Sequence, residues 1–288
     1  MNKKLIVVRG GGDLATGTIH RLWSAGFQVV VLETEAPAAI RRQVSVCEAV
    51  YAGETVIEGM TARLARDPQD AEDILAKGEI PVLIDPSAKS LAYFQPEILV
   101  DAIIAKKNLG TSKDMAPVTI ALGPGFEAGV DVDYVIETKR GHDLGRVIRS
   151  GYAVKNSGVP GNIGGYTSER VMKSPAAGEF VALREIGDIV AADEVIGQVI
   201  LADEAASRAC VPQAENNSYD KECRVPVITT IPGILRGILK SGYQVTEGFK
   251  LADVDPRISE LKNCFTISDK ARCIAGSVLE LCVANLYK

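Results

Sequence analysis

The chain has 288 residues, a formal net charge of -5 and a hydrophobic content of 47%, enough apolar material to fill the cores of two domains. An isoelectric point near 5.3 argues against nucleic acid or an anionic membrane as partner, because either polyanion would repel the chain at long range. Two histidines, His20 and His142, exclude a multi-histidine metal site, and six cysteines (Cys47, Cys210, Cys223, Cys264, Cys273, Cys282) without a CxxC pair fit a reducing cytoplasm.

In chain order, residues 5–8 form a short apolar run ahead of a glycine cluster. Residues 14–25 carry helical spacing through Leu14, Ile19, Leu22 and Trp23, and residues 29–32 read as a second buried strand. A strand, glycine turn, helix and strand in this order predict parallel strands joined by a right-handed crossover, the opening of a Rossmann-like α/β sheet. Strands are expected at 55–58, 81–84 and 98–104, with helices at 60–77 and 87–94 between them. Residues 117–122 and 132–138 look like further strands, separated by the breaker-rich GPGFEAG at 123–129. A nucleotide-binding domain over residues 1–150 is expected, then a linker over 151–172, where periodic apolar residues are scarce.

Within the next segment, 173–256, an internal repeat recurs at an offset of 55 residues. Gly178, Gly187, Val190 and Val199 reappear as Gly233, Gly242, Val245 and Val254, with matching apolar positions between them. Two such β units cannot bury their faces separately, so they are expected to interlock about a pseudo-twofold axis. The repeat resembles the barrel-sandwich hybrid of biotinyl and lipoyl domains, in which a hairpin lysine carries the cofactor. Here the connection is the long polar stretch 202–224, and its one lysine, Lys221, lacks the flanking methionines of that attachment site. The final segment, 257–288, is expected to hold an amphipathic helix at 269–286.

Candidate site residues cluster at the first turn. Gly10, Gly11, Gly12, Asp13, Ala15 and Gly17 satisfy the dinucleotide fingerprint in a Gly/Gly/Ala form. Gly10 suits the tight turn, Gly12 lets a pyrophosphate approach the backbone, and Ala15 and Gly17 permit close helix packing. Glu33 stands where a carboxylate accepts hydrogen bonds from a ribose diol, which favours NAD-like ligands over those with a 2'-phosphate. Asp13 either caps the helix or repels the phosphate.

Asp101 ends a strand at the edge that faces ligand, and Lys106 follows it in a loop that either captures phosphate or is simply solvated. Gly123 and Gly125 form a turn able to serve as an anion nest or as a plain connection. His142 offers acid/base chemistry beside Arg140 and Arg146, unless it is a structural histidine. Cys264 reads as a packing residue or, beside the last helix start, as an activated thiolate.

The strings VVRGGGDLATG, AIRRQVS, GPGFEAGVDVDYVIETKRGHDLGRVI, SGVPGNIGGY, SPAAGEF and CFTISDKAR span nearly the whole chain, and with them the sequence resembles the YqeB family of accessory proteins of the selenium-dependent molybdenum hydroxylase system. Its Rossmann part is also similar to XdhC-type factors, which help sulfurate molybdenum cofactor. The resemblance implies a maturation factor that makes or inserts a cofactor, with the client molybdenum hydroxylase and other maturation proteins as partners. It does not imply hydroxylase activity, and the chain lacks an iron-sulfur cysteine pattern.

Four readings stay open. The turn grips the pyrophosphate of molybdopterin cytosine dinucleotide; or the protein is an enzyme using NAD, with Glu33 on the ribose and His142 or Lys106 near substrate. Alternatively Cys264 transfers selenium or sulfur, or the chain is a non-catalytic scaffold. A homo-oligomer is compatible with each.

Overall fold

The computed structural model describes residues 4–201 and 223–287. The chain divides into two compact units, Met1–Gly158 with Phe265–Lys288, and Val159–Cys264.

The first unit is built on a nine-stranded sheet. Its leading elements are β1 (Leu5–Arg9), α1 (Asp13–Ser24), β2 (Gln28–Glu33), the short α2 (Ala49–Ala52), the hairpin β3 (Glu54–Ile57) and β4 (Met60–Ala65), and α3 (Pro68–Ala76). There follow β5 (Ile80–Ile84), α4 (Leu91–Phe94), β6 (Ile98–Asp101), β7 (Val118–Leu122), the small β8 (Glu127–Ala128), β9 (Tyr134–Ile136), β10 (Val147–Ile148) and β11 (Gly151–Tyr152). The strand order is β10-β9-β7-β6-β1-β2-β5-β4-β3, parallel from β4 across to β9, with antiparallel edges at β3 and β10. Central β1 and β2 are buried runs of Val, Ile and Leu because helices cover both faces of a parallel sheet. After β1 the chain grows the sheet toward β3, then jumps back to lay β6 on the other side of β1. Ligands of open α/β sheets gather outside the strand carboxyl ends at such a reversal.

Two local expectations are corrected. Residues 60–77 are not one helix: Met60–Ala65 is a strand between β3 and β5, and α3 begins only at Pro68. The residue before a proline avoids the helical region, and Asp67 caps the new helix by accepting from the Asp70 N–H at 2.8 Å. The β3–β4 turn is made by Glu58 (φ 46°) and Gly59 (φ 83°), the two left-handed residues of a tight hairpin. Likewise β6 stops at Asp101, because Ile104 (φ 58°) and Lys106 (φ 64°) leave extended geometry.

The terminal helix α5 (Asp269–Leu286) forms over the expected residues, and it belongs to the first unit. It lies beside α1 on one face of the sheet, sharing a core of Ile19, Leu22, Ile274, Val278 and Leu281. The two helices run parallel: near their starts a Cβ on Gly17 would lie 2.7 Å from that of Ala271, and just beyond their ends the rings of Phe27 and Tyr287 meet, tilted, with centroids 6.3 Å apart.

The second unit contains β12 (Val171–Lys173), β13 (Gly178–Ala182), β14 (Ile189–Val190) and β15 (Val195–Ile200), then β16 (Arg224–Ile228), β17 (Gly233–Ile238), β18 (Tyr243–Val245) and β19 (Lys250–Asp255). Its four-stranded antiparallel sheets have the orders β16-β15-β13-β18 and β12-β19-β17-β14, so each takes two strands from each repeat. The registers repeat with the sequence offset: Glu179 faces Ile200 as Ile234 faces Asp255, and Gly178 faces Val245 as Gly233 faces Val190. Gly178 (φ 156°) and Gly233 (φ 157°) are twin positions where a Cβ would run into the carbonyl oxygens of Ile200 and Asp255. Lys221 lies outside the described residues. A 3-10 segment, Ile258–Phe265, carries the boundary, with Cys264 the last residue of this unit and Phe265 the first of the returning stretch.

Candidate functional site

Because β1, β2, β6, β7 and β9 run parallel, their carboxyl ends share one edge of the sheet. That edge gathers the glycine turn, Glu33, the Asp101–Lys106 loop, Gly123 and Gly125, and the 137–146 loop. The four glycines of the first turn have different reasons to be glycine. Gly10 has φ 91°, and its Cβ would sit 2.9 Å from the Cα of Ile103. Gly11 is walled in by Val46 and Cys47, its N–H donates to Glu33 Oε1 at 2.7 Å, and its carbonyl accepts from the Cys47 N–H at 3.0 Å. Gly17 is packed against Ala271. Gly12 has an ordinary φ of -67° and nothing within 4 Å of the place its Cβ would occupy.

Gly12, not Asp13, is the N-cap of α1, and no side chain caps it. The first helical bond runs from the Thr16 N–H to the Gly12 carbonyl at 2.8 Å, and among the described residues the N–H groups of Asp13, Leu14 and Ala15 find no acceptor. Asp13 is the first helical residue, and its carboxylate pairs with Arg41 at 3.4 Å. Arg41, 8% exposed, also donates to the Thr266 carbonyl at 3.2 Å and so ties the loop after β2 to the approach of α5.

Glu33 is held within the turn. Oε1 takes the Gly11 N–H, Oε2 takes the Thr34 N–H at 2.7 Å, and burial lifts its pKa above the ordinary value against those two bonds. Asp101 is 2% exposed and accepts from Thr111 Oγ1 at 2.6 Å and the Ile103 N–H at 3.2 Å, with Arg9 Nη1 at 3.8 Å. Burial raises its pKa, and Thr111, Ile103 and Arg9 work against that rise. Asp101 thereby pins the loop that carries Lys106, whose side chain is exposed. A Cβ on Gly125 would lie 2.7 Å from the backbone of Lys107, and one on Gly123 would lie 2.7 Å from Thr138 Oγ1, so both turns are packed closely against neighbouring loops.

The start of α5 completes the edge. Ser268 caps it by accepting from the Ala271 N–H at 3.2 Å, and Arg140 grips Asp269 with two bonds at 2.8 and 3.1 Å. Half-buried Lys270 has its pKa lowered, first by burial and then by the charge of Arg140, against the pull of Asp13, Glu137 and Asp269. Glu137, 3% exposed, accepts the N–H groups of Lys139 and Val154, each at 2.7 Å. His142 is exposed in the same loop. Cys264 is 2% exposed in the 3-10 segment of the second unit, four residues before the cap of α5.

The sequence pattern located the glycine turn but missed Arg41 and Lys270 as its neighbours. Both lie in strings quoted above, AIRRQVS and CFTISDKAR, yet no spacing rule links residues 13, 41, 140 and 270. Only the fold does.

Together these elements define an α/β protein with a large, mainly parallel sheet and an anion-compatible glycine turn at its reversal point, followed by an antiparallel β unit. The chain is 46% identical over 285 residues to the uncharacterized protein YqeB of Escherichia coli (strain K12), covering 99% of this chain and 48% of that protein. It thus spans about half the length of this relative, and the likeness agrees with the family resemblance carried by the motifs. No family model matches the chain. Among solved structures it has weak likenesses to an aspartoacylase family protein from Mesorhizobium loti (13% identity, TM-score 0.28, 88% of this chain and 85% of that one) and to the ectoine utilization protein EutE (DoeB) from Ruegeria pomeroyi (9%, 0.26, 88% and 85%). At these scores neither lends this chain a fold or an activity. No helix among the described residues is long and apolar enough to cross a membrane.

Proposed function

We propose that this protein is a maturation factor for a selenium-dependent molybdenum hydroxylase, and that its glycine turn holds a cofactor through a pyrophosphate, that of molybdopterin cytosine dinucleotide. In this reading the nine-stranded sheet is a Rossmann-type nucleotide-binding domain and the interlocked repeat a barrel-sandwich hybrid that serves as scaffold. The carrying observation is Gly12: neither its backbone angle nor its packing calls for glycine, and the space above it adjoins three helix N–H groups without acceptors. A phosphate there would receive backbone hydrogen bonds in the favourable field of the helix start. The family resemblance supplies the identity of the cofactor and the client, and the cysteine usage suggests a reducing cytoplasm as the setting.

The residues present fit such a group. Gly12 to Ala15 would hold phosphate oxygens, Gly11 and Glu33 would keep the turn in shape, and Arg41 would neutralise Asp13 so that its carboxylate does not oppose the anion. The bound cofactor itself would supply the metal chemistry that the client later uses.

A second reading, an enzyme using NAD, is favoured only by the position of Glu33. Its two oxygens already bind backbone N–H groups, although each retains a lone pair for a ribose hydroxyl. Calorimetric titration with molybdopterin cytosine dinucleotide, NAD, cytidine diphosphate and inorganic pyrophosphate separates the two. We expect binding of the cytidine ligands and pyrophosphate, abolished in Gly12→Val. Failure of wild type to bind any pyrophosphate compound refutes the proposal, and binding of NAD alone transfers support to the enzyme reading.

A further inference from the structure

We propose that the second unit carries an oxyanion site of its own at the carboxyl end of β19, where Arg170 and Arg236 offer unused guanidinium N–H groups to a phosphate. The proposal does not depend on the glycine turn of the first unit.

The two repeats fold alike but are not charged alike. At the offset of 55 residues, Arg170, Arg236, Asp253 and Asp255 correspond to Val225, Val181, Gln198 and Ile200. The registers keep the match: Val171 faces Asp253 as Pro226 faces Gln198, and Ile234 faces Asp255 as Glu179 faces Ile200. One copy thus builds its sheet without any of these charges, so the fold does not require them. The backbone departs from the repeat at the same place. Val181 pairs directly with Gln198, whereas in the other copy the register shifts between Leu235 and Gly237, which leaves Arg236 as the extra residue of a bulge. Bulges re-aim a side chain and gather next to functional sites.

Within this copy the carboxylates are already matched, and guanidinium donors are left over. Arg170, 5% exposed, donates from Nη1 to Asp253 at 2.8 Å and from Nη2 to the Gly161 carbonyl at 3.4 Å, while its Nε is buried without an acceptor. Arg257 closes on both oxygens of buried Asp255, at 2.9 and 2.7 Å. Glu169, beside Arg170, is exposed and folds its carboxylate back on Thr167. Arg236 is left out: its Nε is also buried without an acceptor, and no hydrogen bond or ion pair involves it among the described residues. Against burial, the Arg257 bonds and the charge of Arg236 hold the Asp255 carboxyl below its ordinary pKa, which agrees with Arg236 standing near the end of β19.

Buried donors without acceptors are costly and uncommon, and an unseen anion is one of their ordinary explanations. Since β12 and β17 flank β19, the two arginines come to its end from opposite sides. A tetrahedral phosphate accepts from several directions at once, whereas a planar carboxylate is filled by a single fork. The glycine-rich loop 161–165, within the string SGVPGNIGGY, covers the same end: the Gly161 carbonyl meets Arg170, and a Cβ on Gly164 would stand 3.0 Å from Pro256 Cγ.

The test is calorimetric titration of the full chain with inorganic phosphate and, separately, acetate. It compares wild type, Gly12→Val, and Gly12→Val combined with Arg236→Val or Arg236→Lys, with unliganded melting temperatures measured alongside. Phosphate binding should survive Gly12→Val, weaken about 10- to 100-fold when Arg236→Val is added, and return in part with Arg236→Lys. Arg236→Val should melt no lower than its parent, because valine is what the other copy carries there. In nuclear magnetic resonance spectra the Nε–H signals of Arg170 and Arg236 should move on addition of phosphate. Phosphate binding that vanishes in Gly12→Val belongs to the turn and overturns the second site, as does binding that Arg236→Val leaves unchanged or the absence of phosphate binding in wild type. A fall in the melting temperature of Arg236→Val that accounts for its weaker binding overturns the proposal too. Acetate binding as tight as that of phosphate overturns the assigned ligand class.

Discussion

Two glycines in the paired helices should respond in opposite directions to the same substitution. A glycine in a helix interior costs about 0.8–1.0 kcal/mol relative to alanine, so on propensity alone both Gly17→Ala in α1 and Gly276→Ala in α5 stabilise the protein. At Gly276 nothing lies within 4 Å of the new Cβ, and the full gain of about 1 kcal/mol is expected. At Gly17 the new Cβ would sit 2.7 Å from the Cβ of Ala271 and 2.9 Å from its carbonyl carbon and oxygen. Backbone cannot swing aside as a side-chain tip can, so α1 and α5 must separate and loosen the core that they share over the sheet. Overpacking of this kind costs about 1–3 kcal/mol, and with a rigid neighbour the upper half of that range applies, for a net loss of about 1–2 kcal/mol. Thermal unfolding followed by circular dichroism measures both, at about 2–4 °C per kcal/mol for a unit of this size. Gly17→Ala should melt lower and Gly276→Ala higher than wild type. A rise in both variants would refute the helix contact.

Other expected outcomes probe separate parts of the molecule. Asp101→Ala should lose about 3–5 kcal/mol in denaturant unfolding, because it strands Arg9, 4% exposed, without its carboxylate, and the double variant Arg9→Met with Asp101→Leu should recover most of that loss. Burial raises the Glu33 pKa above 4.5, so the folded protein takes up this proton before the unfolded chain does. Its contribution to stability therefore grows as pH falls through the raised value and is complete below 4.5. The stability difference between wild type and Glu33→Gln should shift across that window, and parallel pH profiles would contradict it. Gly178→Ala and Gly233→Ala should each cost about 2–5 kcal/mol from strain and overpacking, and strongly unequal losses in unfolding experiments would break the equivalence of the repeats. Of Cys47, Cys264, Cys273 and Cys282, alkylation of the native protein followed by mass spectrometry should label Cys273 alone, since the others are buried and burial pushes the Cys282 thiol up to about 12.

Local patterns in the sequence were enough to find the first strand, its glycine turn, α1, β2 and the terminal helix, because short-range periodicity and breakers decide those elements. The repeat was legible for a related reason: an offset of 55 residues carries glycines and apolar positions together, and the two registers in the second unit keep the same offset. At residues 60–77 apolar spacing suited a helix, but partner strands on both sides and Pro68 divided it into strand and helix. Tertiary structure alone decided that α5 returns to the first unit, since an amphipathic stripe says that a helix must pack and not where. It also decided what each glycine of the turn is for, separating Gly10, Gly11 and Gly17, fixed by conformation or close packing, from Gly12, which faces open space. And it placed Arg41 beside Asp13 and Arg140 beside Asp269, because contacts between residues so far apart in the chain arise only when the sheet sets its strand ends along one edge.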